Sequence, residues 1–405
     1  MSFAKIQNRA FTFSNRIRLP GLDYAQAIQE NLQSIIANGI KRGRPFPIEQ
    51  FNQLTQPSSN QPESQQSLHQ DKESHKQLQQ LFFSLPNTTA PDVPEGETQI
   101  LKHFGAFERE LTLHPPGTNH VDVGVQMGLF DFEAASSVVG SKWVYLKGQG
   151  ALLENALVQF ALDKLLRRGF ELVLPPDVAD IQLVAACGFQ PKDREGEVYR
   201  LADSTLALAA TSEILLAGLY AGRKIPKHQL PKRFVALSHC FRPEVGHYGS
   251  SARGLFRVHQ FTKVEMFSYC LPQDSESIFE EFVALQQEII QELELYGRLV
   301  AISAKELGNS AYRKRDVEVW FPMRRQWGEV TSASDCTTYQ TSRLGIYSID
   351  SSNGKKLDLH TVNATALAVP RVIQALVENW TEIGPEGKWK FKQLPKALNR
   401  FFIGR

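Results

Sequence analysis

Residues 240–267 read CFRPEVGHYGSSARGLFRVHQFTKVEMF. Arg242 and Glu244 lie two positions apart, a Gly-rich stretch follows, and Arg257 and Glu265 stand beyond it. Arginine stays charged and its planar fork holds phosphate through two hydrogen bonds. Arg242 and Arg257 are both expected to point inward, and arginines interleaved with carboxylates suit a polyanion bound beside an amine-bearing group. The same residue types would also serve as ion pairs on a salt-bridged sheet face. A second concentration lies at 328–336, where Glu329, Thr331, Ser332 and Ser334 crowd one short stretch with Val330. That is too polar for a core strand and suits a floor that faces a ligand. Thr211, Ser212 and Glu213 open another candidate, although a Thr-Ser pair followed by an acid also caps a helix. Arg371 ends a run of small residues, HTVNATALAVPR. No Ser/His/Asp or Cys/His arrangement marks a covalent nucleophile.

These residues need elements to hold them. Residues 234–241 are apolar and β-prone, 247–251 are turn-formers, and 255–267 alternate apolar with polar, so the stretch predicts strand, loop, strand. Upstream, the periodicity predicts a helix over 23–38, ended by Gly39 and the basic cluster 41–44, and another over 47–54. Residues 56–76 are Gln-, Ser-, Glu- and His-rich and read as a polar low-complexity linker, with a short returning helix at 77–84. A Pro-rich extended connector follows at 85–97. Beyond it come helical 130–136, a strand at 144–146, a helix over 152–168 closed by Gly169, and a strand at 171–176 ended by prolines. An amphipathic helix over 279–296, strands at 311–320 and 328–336, and an apolar helix over 372–379 complete the pattern. The basic run 223–233 reads as a solvated face, and the basic, aromatic tail 388–405 is expected to pack back on the body.

A chain of 405 residues can hold two or three domains. Its 45 Lys and Arg against 43 Asp and Glu argue against wholesale coating of nucleic acid, so any such partner needs a local basic patch. The four cysteines are widely separated and predict reduced thiols. No apolar run is long enough to span a bilayer. Residues 1–20 carry Lys5, Arg9, Arg16 and Arg18 among apolar residues, with no acid before Asp23. That composition fits a mitochondrial transit peptide, and also a plain disordered tail.

Arg-x-Glu, a loop, Arg-Gly-Leu-Phe-Arg-x-His-Gln-Phe and Lys-Val-Glu together resemble motif 2 of the class II aminoacyl-tRNA synthetases, in the seryl version and closest to its animal mitochondrial form. Residues 148–176 resemble motif 1, which builds a dimer interface, and the stretch ending at Arg371 resembles motif 3. Ala-Thr-Ser-Glu at 210–213 is similar to the family's Thr-x-Glu serine signature, with Ser212 where Ala is usual. The resemblance runs from about residue 85 to the C-terminus. It implies an α+β fold: a class II catalytic domain of antiparallel sheet flanked by helices over 85–405, a reduced N-terminal helical tRNA-binding region with its linker over 21–84, and the leader over 1–20. The long coiled-coil arm of the family needs apolar heptads on two strands, and residues 21–84 lack them.

The resemblance also implies an ATP-dependent serine–tRNA ligase of the mitochondrial matrix. Its implied partners are L-serine, ATP with Mg²⁺, mitochondrial tRNA(Ser) and a second copy or a paralogue as dimer partner. Arg242, followed by Pro243, would stabilise charge at the α-phosphate, and Arg371 would hold the γ-phosphate. Glu244 would take the adenine amine, with Phe261 stacked on the ring and Val258 beside it. Glu329, Val330, Thr331 and Ser332 would complete the ATP site, Glu329 and Ser332 as Mg²⁺ ligands. Thr211 and Glu213 would meet the serine ammonium and Glu265 and Thr365 the hydroxyl, with Ser212 and Asn363 completing the serine site. Asp335 and Ser342 depart from the family's usual Asn and Arg. The rival reading is a catalytically silent paralogue acting as a partner subunit or RNA-binding protein. A third is a serine-activating enzyme that loads a carrier protein.

Overall fold

In the computed structural model the described residues are 24–55, 65–105, 114–189, 198–244 and 254–402. The expected leader, the turn at 247–251 and part of the expected linker lie outside them.

Eight strands build one sheet: β1 (Gln99–Phe104), β2 (Glu171–Val173), β3 (Lys232–Phe241), β4 (Gln260–Cys270), β5 (Gly297–Ala301), β6 (Arg313–Phe321), β7 (Gln326–Thr337) and β8 (His360–Ala368). Their spatial order is β1-β5-β6-β7-β8-β4-β3-β2. Every pairing is antiparallel except β2 with β3. Strands β4 and β8 are central and buried along nearly their whole length, so both of their faces must be covered. On one face Val264, Met266, Val362 and Ala364 join the main core, which the helices Gly148–Leu166, Ser275–Glu292 and Val369–Trp380 roof over. On the other, Phe234, Ala236, Phe267 and Tyr269 form a second core with the helix Ser212–Gly218. The chain is therefore α+β, as expected.

Register shifts interrupt four of the strand pairings, among them β7 against β6 and β8 against β4. On β7 the register steps from Thr331 opposite Val317 to Glu329 opposite Glu318, which leaves Val330 over. On β8 it steps from Thr365 opposite Glu265 to Leu367 opposite Val264, which leaves Ala366 over. Bulges re-aim side chains and often flank active sites.

The expected hairpin forms, but its second strand starts later. Residues Gly254–Phe256 make a 3-10 turn, and β4 begins only at Gln260. The tail behaves as its composition suggested: Trp389, Phe391, Phe401 and Phe402 pack on the main core.

Four helices, Tyr24–Glu30, Leu32–Lys41, Ile48–Thr55 and Gln65–Ser84, close around Tyr24, Ile28, Phe46, Phe51, Leu78 and Leu81. Two expectations are corrected here. The helix expected over 23–38 is two helices, interrupted at Asn31, whose amide donates to the Ala27 carbonyl at 3.0 Å. It also runs past Gly39 to Lys41. The polar linker expected over 56–76 is helical from Gln65 onward. Gln, Lys and Glu are good helix formers, and Leu78 and Leu81 anchor one side of this helix. The region is fastened to the body by Arg42, which is 1% exposed. Its guanidinium donates to Thr89 Oγ1 and to the carbonyls of Thr88, Gly308 and Ala311 at 2.6–3.1 Å.

Candidate active site

The end of β3 delivers Arg242 into a cleft on the sheet face opposite the main helices. Its backbone is pinned to the neighbouring strand: Arg242 N–H donates to the His259 carbonyl at 2.9 Å. Its Nε donates to the Ala210 carbonyl at 3.3 Å, and its guanidinium lies 5.3 Å from the centre of the Phe261 ring. One edge of the guanidinium is thus anchored while the group faces the cleft. Glu244 follows in the left-handed backbone region at φ +50°, which turns the chain away from β3. Its carboxylate accepts from Arg257 Nη1 at 2.9 Å. Arg257 is absent from the cleft wall: the second guanidinium there belongs to Arg371.

Arg371 lies in the first turn of Val369–Trp380 and is held from three sides. Its Nε donates to the Phe256 carbonyl at 3.3 Å, its Nη1 to the Glu329 carbonyl at 2.9 Å, and its guanidinium lies 4.6 Å from the Phe256 ring centre. Glu329 Oε1 sits 3.4 Å from the same Nη1. Burial alone would raise the Glu329 pKa, but Arg371, Lys314 and Arg242 outweigh it and hold the carboxyl down at about 2. The Glu329 side chain nonetheless keeps 41% of its surface open to the cleft. It is therefore a permanently ionised oxygen donor facing the space between two arginines. Ser332 pairs across the sheet with Asp316 and hydrogen-bonds its carboxyl. Asp316 also accepts from Lys314 at 3.0 Å, and burial lifts its pKa to about 6. Thr331 stands opposite Val317 and so faces the core, with Val330 beside it as the bulge residue. Both residues nonetheless border the cleft.

A sealed polar cluster forms the inner end. Lys263 Nζ lies 2.6 Å from Glu265 Oε2 and donates to Thr211 Oγ1 at 2.5 Å. Thr365 Oγ1 donates to the same Glu265 oxygen at 2.9 Å. Thr211 also caps its helix by accepting from Glu213 N–H, so the capping reading of this motif holds alongside any other role. Glu213 accepts from Gln340 at 2.7 Å, and Gln340 accepts in turn from Thr361 at 2.7 Å. Burial, with Glu265 adding to it, pushes the Glu213 pKa up to about 7 against the pull of Lys263. Ser212 is buried with its hydroxyl unpartnered. Asn363 donates to Cys336 Sγ at 3.4 Å.

The cleft wall thus gathers Arg242, Glu244, Val258, Phe261, Glu329 and Arg371, with Thr365 at its inner end. Thr211, Glu213 and Glu265 join it through Lys263. Ser212, Ser332, Asn363 and Pro243 do not line the cleft. Sequence reasoning passed over Lys263, Phe256, Lys314, Asp316 and Gln340. Lys263 alternates with apolar neighbours in FTKVEMF, a pattern that an ordinary solvated strand face also shows. Gln340 carried no signal.

A large antiparallel sheet with arginines from a strand end and from a helix start is the catalytic architecture of a class II aminoacyl-tRNA synthetase. The model of the tRNA synthetase class II core domain (G, H, P, S and T) matches residues 198–380. The serine–tRNA ligase of Rubrobacter xylanophilus is 43% identical over 301 residues, 73% of this chain and 70% of that one. The mitochondrial serine–tRNA ligase of Saccharomyces cerevisiae is 39% identical over 334 residues, 82% of this chain and 74% of that one. The crystal structure of seryl-tRNA synthetase from Pyrococcus horikoshii complexed with ATP superposes with a TM-score of 0.74 at 30% identity, covering 98% of this chain and 91% of that one. The chain belongs to the serine–tRNA ligase family.

Proposed function

We propose that the protein activates L-serine with ATP to seryl-adenylate and pyrophosphate, then transfers the seryl group to tRNA(Ser) in the mitochondrial matrix. The observation that carries this reading is the Lys263–Glu265–Thr365–Thr211 cluster, buried at the inner end of a cleft that Arg242 and Arg371 flank. A small zwitterion with a hydroxyl fits such an end. Its hydroxyl is offered the Glu265 carboxylate and Thr365, and its ammonium Glu213 and Thr211. A buried site built to bond a hydroxyl rejects an analogue lacking it by about 10⁴–10⁵, which would exclude alanine.

The serine carboxylate then lies toward Arg242, where its oxygen attacks the α-phosphate and pyrophosphate departs. Arg242 offsets charge building on the five-coordinate phosphorus, and fixed electrostatics of this kind usually supply the largest catalytic contribution. Arg371 holds the departing phosphates. Holding both reactants in line contributes on the order of 7–11 kcal/mol. Adenine stacks on Phe261, with Glu244 accepting from its amine while Arg257 keeps that carboxylate turned inward. Among the described residues no cluster of three or more His, Cys, Asp or Glu could hold a metal alone. Glu329, ionised and open, fits Mg²⁺ as one ligand beside the ATP phosphates, the usual manner of this ion; Ser332, tied to Asp316, would reach it only by turning. Bound there, the ion neutralises phosphate charge.

The mitochondrial address rests on the basic, acid-free residues 1–20 and on the yeast relative's name. We retain residue 85 as the boundary between the N-terminal helical region and the catalytic domain, and a dimer as the assembled form. Serine-dependent ATP–pyrophosphate exchange should be measurable with the wild-type chain and should vanish in Arg242→Ala. A folded wild type without exchange refutes the reading, and labelled-serine charging of mitochondrial RNA separates tRNA from a carrier protein as acceptor.

A further inference from the structure

We propose that His120, backed by Glu378, is a positioning residue for the ATP site: it fixes the segment from which Arg371 hangs. His120 opens the helix His120–Gln126, outside the cleft wall, and is buried. Its Nε2 accepts the backbone N–H of Leu255 at 3.1 Å. An accepting Nε2 leaves the ring proton on Nδ1, which lies 3.5 Å from Glu378 Oε1, an electrostatic contact that falls short of a hydrogen bond. Glu378 is fully buried in Val369–Trp380, the helix that starts beside Arg371. Its other oxygen accepts the backbone N–H groups of Met323 and Arg324 at 2.9 and 3.2 Å, and Gln374 donates to Oε1 at 2.8 Å.

One buried His–carboxylate pair therefore ties down two separate backbones. Both carry groups that meet at the Phe256 ring. Arg371 lies 4.6 Å from its centre and Arg324 4.2 Å, while the Phe256 carbonyl accepts from Arg371. The contact is close enough to demand glycine next door. Gly254 has φ +69°, and a Cβ there would stand 2.0 Å from His120 Nε2 and 2.7 Å from a Val121 methyl. The Gly254–Phe256 turn is thus seated on His120, and Phe256 presents both a ring and a carbonyl to Arg371. Losing the acceptor leaves Leu255 N–H buried without a partner, so the turn must move. Arg371 then loses two of the contacts that aim it.

This inference rests on the proposed ATP site and is tested by equilibrium binding of ATP to the full chain. His120→Leu keeps side-chain bulk and removes the acceptor; ATP Kd should rise on the order of tenfold, about 1.4 kcal/mol, with serine Kd unchanged. His120→Gln, which offers an amide oxygen at a similar reach, should recover most of the loss. Gly254→Ala attacks the contact from the opposite side and should weaken ATP in the same way, which keeps the test open if His120→Leu does not fold. In an Arg371→Lys background, His120→Leu should cost much less than in the wild type, because both changes act on one group. Wild-type-like ATP Kd in a folded His120→Leu or Gly254→Ala, or additive losses in the double variant, overturns the inference. A wild type that binds no ATP would instead defeat the proposed function itself.

Discussion

Replacing Lys263 by methionine isolates what the buried charge cluster does. Methionine keeps most of the lysine stem and deletes the ammonium that lies 2.6 Å from Glu265 and 2.5 Å from Thr211. Lys263 and Glu265 are 5% and 2% exposed, so solvent cannot replace the lost cation. Breaking a buried ion pair by removing one partner costs about 3–5 kcal/mol, because the other charge stays behind uncompensated. Spread over the unfolding entropy of a chain this long, that is a fall in Tm of about 5 °C. Glu213 compounds the effect, since Lys263 is one of the groups that keeps its pKa from rising further. Serine affinity should fall with it, because an acid that takes up a proton no longer attracts an ammonium. The decisive comparison is the double variant Lys263→Met/Glu265→Met, scored by thermal unfolding and by serine-dependent pyrophosphate exchange. With both charges gone, stability should return toward wild type while exchange stays absent. If the double variant unfolds as early as the single one, the buried-charge account is wrong. If Lys263→Met exchanges like wild type, the cluster is not the serine end.

The Glu213 carboxyl should make both stability and serine binding depend on pH, in opposite senses. Its folded pKa is raised from the ordinary 4.5 to about 7, so its contribution to stability is fully present below about 4.5 and is lost as pH rises through about 7. That loss amounts to about 3 kcal/mol, and urea midpoints measured between pH 5 and 8 should show it in wild type but not in Glu213→Gln. Serine, whose ammonium favours the ionised acid, should bind more tightly as pH rises from 6 to 8, and titration calorimetry with proton-release analysis checks this. Arg42→Met removes a guanidinium that satisfies one hydroxyl and three carbonyls between the N-terminal region and the body. It should cost about 3 kcal/mol and selectively speed amide exchange in residues 24–55; uniform exchange with an unchanged midpoint would show that Arg42 is no fastener.

How much of this was legible depended on whether a property is local. The long helices of the body, Gly148–Leu166 and Ser275–Glu292, follow from periodicity, because burial of one face leaves a repeat in the sequence, while β3 follows from an apolar, β-prone run and the tail from its aromatic composition. The motif wording at 240–267 and at 360–371 was enough to expect the sheet and two arginines in one cleft. Helix Gln65–Ser84 was misread because composition reports what cannot build a core, whereas a helix of good formers needs only a few anchors such as Leu78, Leu81 and Phe82 on a neighbour. Arg257 was expected to point inward with Arg242, and its sequence distance from Glu244 gave no hint that it would spend its charge there.

Lys263 shows the deeper limit. On a half-buried strand an alternating lysine points to water, so FTKVEMF reads as one ordinary solvated side. Strand β4 is instead the neighbour of both β8 and β3, covered on each face, and only that sheet order turns the same lysine into a buried cation between Thr211 and Glu265. The bulges act in the same way. Without the extra residue at Val330, the step from Thr331 to Glu329 would keep both on one face; with it, Thr331 goes to the core side and Glu329 to the cleft. The chemistry-bearing residue types are written in the chain, but whether each faces solvent, core or substrate is decided by its strand neighbours, which lie anywhere from fourteen residues away, as Val317 does from Thr331, to a hundred, as Thr365 does from Glu265.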